Sequence, residues 1–110
     1  MALGTNAVAA NAMREAGASS VGVGSRAIAQ TLPTVDVIVA TLNLVLPGAM
    51  LGEVTHEIAE SILNAKAKKV LLPVNRAHME IVGSEDHTLD ALITRSLSRV
   101  MHLVSASRQL

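Results

Sequence analysis

Two short, nearly continuous apolar runs stand out along the chain, Val35–Ala40 and Lys69–Pro73. Both are rich in β-branched or aliphatic residues, which suit a strand covered on both faces. Pro33 ends the preceding helix, and Asp36 is placed near the solvated start of the first run. Ala2-Leu3-Gly4 reads as the end of a further strand. Ser19–Gly24 reads as a short strand or irregular link, and Met79–Gly83 as a weaker edge strand.

Helical spacing fills the intervals. Thr5 or Asn6 can cap an alanine-rich helix that runs to about Ala16 and stops at Gly17. Ser25 is read as the cap of a helix from Arg26 to about Leu32. Thr55 is read as the cap of one from His56 to about Ala65, with Ile58, Ile62 and Leu63 as its apolar stripe. A polar turn over Gly83–His87 leads to Thr88, the cap of a last helix. Leu89, Leu92, Ile93, Leu97, Val100, Met101 and Val104 make a broad apolar face there, and the tail from Ser105 is expected to fray. Strands alternating with helices predict one α/β domain over residues 1–110, a parallel sheet with helices on both faces, three layers in all.

Composition narrows the function. Half of the 110 residues are hydrophobic, but Phe, Tyr, Trp and Cys are absent. The core must therefore be aliphatic, and a small aliphatic domain gains from oligomerisation, so a homo-oligomer is expected. Zero formal net charge and the lack of a basic run or stacking ring argue against nucleic acid. Without cysteine there is no disulfide, thiolate nucleophile or Cys-held metal. The uncharged stretch Thr41–Gly52 is shorter than the ~20 residues of a membrane span and is broken by Asn43 and Pro47-Gly48. It is read as a loop and helical turn packed on the sheet. The start lacks the plan of a signal peptide, so a cytoplasmic location is expected.

In a parallel sheet all strand C-terminal ends share one edge, where ligands of open α/β sheets bind. Gly4, Thr5, Asn6, Thr41, Asn43, Asn75 and Arg76 fall at that edge. They suit a nucleotide or another small anionic metabolite, with Arg76 pairing the anion and Asn and Thr orienting it. The competing reading makes them turn formers and caps. Gly22-Val23-Gly24-Ser25-Arg26 before a helix is a second phosphate candidate, although its spacing is not the dinucleotide fingerprint. His56-Glu57 matches half of a zinc-protease motif, but Glu60 stands where the second His is required, so no metal site is assigned. His78 and Glu80, near Arg76, are the acid/base candidates if the protein is an enzyme. No cofactor is indicated.

Several stretches together resemble a bacterial domain-of-unknown-function family with a Rossmann-like sheet. They are Ala2–Asn6, Ala12-Met13 with Ala16-Gly17-Ala18, Met50–Thr55, Lys66–Arg76 and Glu80–Gly83. The resemblance supports the fold and implies no reaction. It also implies a further strand, a glycine-rich turn and a helix ahead of the segment matching Ala2–Asn6. On that footing the sheet is expected to be truncated at its N-terminus, or completed by a neighbour, with the gap between the strand at Leu3 and Val35–Ala40. The resemblance further implies a cysteine near position 77, where this chain has Ala77.

Overall fold

A computed structural model describes residues 1–74, 78–84 and 87–108. Strand β1 (Ala2–Gly4) leads into helix α1 (Ala7–Glu15), strand β2 (Val21–Val23) and helix α2 (Gly24–Thr31). Strand β3 (Val37–Thr41), helix α3 (His56–Asn64), strand β4 (Lys68–Leu72) and helix α4 (Leu89–Arg108) follow. The protein is thus mixed α/β, with four α-helices among the described residues. Among the described residues the strands form two separate two-stranded sheets, β1–β2 and β3–β4, each parallel.

Local chemistry sets the helix ends. Asn6 caps α1 by accepting from the Ala9 amide at 2.9 Å, which satisfies an otherwise free donor and contributes about 1 kcal/mol. Gly17, at φ +113°, closes the same helix. Its N–H donates to the Arg14 carbonyl while the Ala18 N–H reaches back to Met13, the paired bonds of a Schellman stop. Thr55 caps α3 through the Ile58 amide, and Thr88 caps α4 through the Ala91 amide. Helix α2 departs from the sequence reading. Its cap is Val23, with no side-chain hydrogen bond, and Ser25 already lies inside the helix. Gly24 (φ +86°) lets the chain turn directly from strand into helix, so no serine-led loop is needed.

The core lies between β3 and the α2–α3 pair, which pack on each other. Ile28, Leu32, Ile38, Val54, Ile58 and Ile62 form its centre, and Val54 is only 1% exposed. Thr41 to Val54 is wound over this core. A 3-10 turn at Leu42–Val45 and half-buried Leu44, Val45 and Leu46 pack against it, as the apolar stretch predicts. Helix α1 packs on β1 and β2, and α4 on β4 and β3.

Three further readings are corrected. Strand β3 starts at Val37 and includes Thr41, because its register with Lys68–Leu72 continues through that residue. Met79–Gly83 is not a strand; only a single bridge occurs, at Met79, and Val82 projects into solvent. The last helix does not fray at Ser105 but runs to Arg108. No helix among the described residues is long and apolar enough to cross a membrane.

Candidate functional site

Among the described residues no strand of one sheet pairs with a strand of the other. Between the outer edge of β1 and the outer edge of β3 lies a cleft of about 480 Å³. Its walls are aliphatic, including Leu3, Val37, Val39, Ile58 and Ile62, and among the described residues no charged side chain lines it. Thr5, Thr31 and Thr41 are its hydroxyl-bearing residues.

The cleft brings together two of the residues assigned to the strand ends. Thr5 follows β1 and Thr41 closes β3, and both line it. The Thr5 hydroxyl is buried and has no hydrogen-bond partner. A buried hydroxyl without a partner is disfavoured by roughly 1–3 kcal/mol, and Thr5 carries that cost beside the cavity. Gly4 supports this corner sterically. A Cβ there would stand 2.7 Å from the Ala10 nitrogen, so only glycine lets β1 approach the start of α1 this closely. Asn6 is accounted for by its cap, and its side-chain oxygen is already engaged by Ala9. Asn43 sits half-buried in the 3-10 turn and does not line the cleft. Asn75 and Arg76 lie outside the described residues.

Packing accounts for the glycines of the second phosphate candidate. A Cβ at Gly22 would meet Leu3 at 2.9 Å and Ala27 at 3.1 Å, and Gly24 makes the strand-to-helix turn. Arg26 instead borders a polar groove between α2 and α3 with Glu57, Glu60 and Asn64. His78 and Glu80 are exposed and do not line the cleft. His56 and Glu57 open α3 on the surface, and among the described residues no three His, Asp or Glu side chains converge.

Sequence reasoning missed the buried Thr5 hydroxyl as a distinct feature. Threonine after a strand is read first as a cap, and the neighbouring Asn6 takes that role here. A family model described as a domain of unknown function (DUF3842) matches residues 1–105. No curated protein and no solved structure matches the chain.

Proposed function

We propose that this chain, which belongs to the DUF3842 family, binds a small anionic metabolite, such as a nucleotide, at the C-terminal ends of β1 and β3. The observation that carries the reading is that Thr5, just after β1, and Thr41, at the end of β3, line one cavity. The start of α1 adds a favourable end for negative charge. Asn75 and Arg76 follow β4 in sequence, and on this reading Arg76 supplies the positive charge that pairs the ligand.

Thermal melting followed by circular dichroism tests this, with inorganic phosphate and a panel of nucleotides as probes. A probe that binds the folded state alone raises the midpoint. Thr5→Val removes the hydroxyl while keeping the shape. The variant is expected to melt at the same temperature or slightly higher, since an unsatisfied buried group is lost, and to lose most of the ligand-induced rise. An unchanged rise in the variant would remove Thr5 from the site.

A second reading, a structural or regulatory homo-oligomer, is supported by α4. Leu89, Ile93, Leu97 and Met101 recur every fourth residue and are all exposed, Leu97 by 58%. Ser96 is buried and Leu92 and Val100 are half-buried on the same helix, so its apolar residues extend beyond the part that is covered. Leu97→Glu is expected to shift sedimentation from oligomer to monomer at micromolar concentration with little change in melting of the monomer. A wild-type protein that sediments as a monomer at all concentrations would end this reading.

A further inference from the structure

We draw no further inference here: the strongest candidate, the apolar tip of the loop between β3 and α3, where Met50 and Leu51 are exposed and both take left-handed backbone conformations, carries nothing because nothing in the structure shows what covers it.

Discussion

Gly4→Ala is expected to lower the melting midpoint by about 10 °C or more, corresponding to a loss of about 1–3 kcal/mol. The added methyl would lie 2.7 Å from the Ala10 nitrogen and 3.1 Å from its Cα, and 3.1 Å from the Asn6 carbonyl oxygen. All three atoms are backbone, so no side-chain rotation relieves the overlap. Either β1 withdraws from α1 or the first turn of the helix shifts and the Asn6 cap is lost with it. Strand β1 is short and holds only β2, which leaves little pairing energy to resist withdrawal. Both outcomes displace Thr5, so ligand-induced stabilisation should fall with the melting temperature. Circular dichroism melting of Gly4→Ala beside Gly17→Ala separates this steric effect from a general cost of removing glycine. Gly17 has open space around it and loses only its left-handed backbone preference, at about 1 kcal/mol. Equal shifts in the two variants would mean that β1 does not approach α1 as closely as the structure has it.

The sequence made the helices and the two apolar strands legible for local reasons. Asn6, Thr55 and Thr88 each stand before an apolar-periodic run, and each proves to be the cap. Gly17 ends α1 because a left-handed residue is needed there. The start of α2 was misread because Ser25 is a strong cap by type, whereas the actual turn is made by Gly24, without a side chain. Met79–Gly83 has the composition of an edge strand, but composition does not supply a pairing partner, and only one bridge forms. At the candidate site, Thr5 and Thr41 come to one cleft because the ends of β1 and β3 border it. Asn6 and Asn43 were placed at the same edge by topology alone, and local hydrogen bonding and the 3-10 turn give them other surroundings. The width of the apolar face on α4 was visible in its spacing. How much of it the sheet would cover was not, because that depends on how many strands lie side by side.

Ile58→Ala is expected to cost about 2–5 kcal/mol, the range for removing most of a buried aliphatic side chain and leaving a void. Ile58 is 3% exposed and sits in the first turns of α3, packed within the cluster that also contains Ile28, Ile38 and Val54. With no aromatic side chain in the protein, no large neighbour can swing in to fill the space, so the loss should fall in the upper part of that range. Leu63→Ala on the same helix is the control. Leu63 is 54% exposed and should cost under 1 kcal/mol, although the spacing of α3 had placed it in the apolar stripe beside Ile58. Urea unfolding followed at a helical wavelength measures both, and an unchanged m-value assigns the difference to the folded state. Ile58 also lines the cleft, so its truncation enlarges the cleft as well as leaving a void in the core. A small cost for Ile58→Ala, equal to that of Leu63→Ala, would place the centre of the core elsewhere.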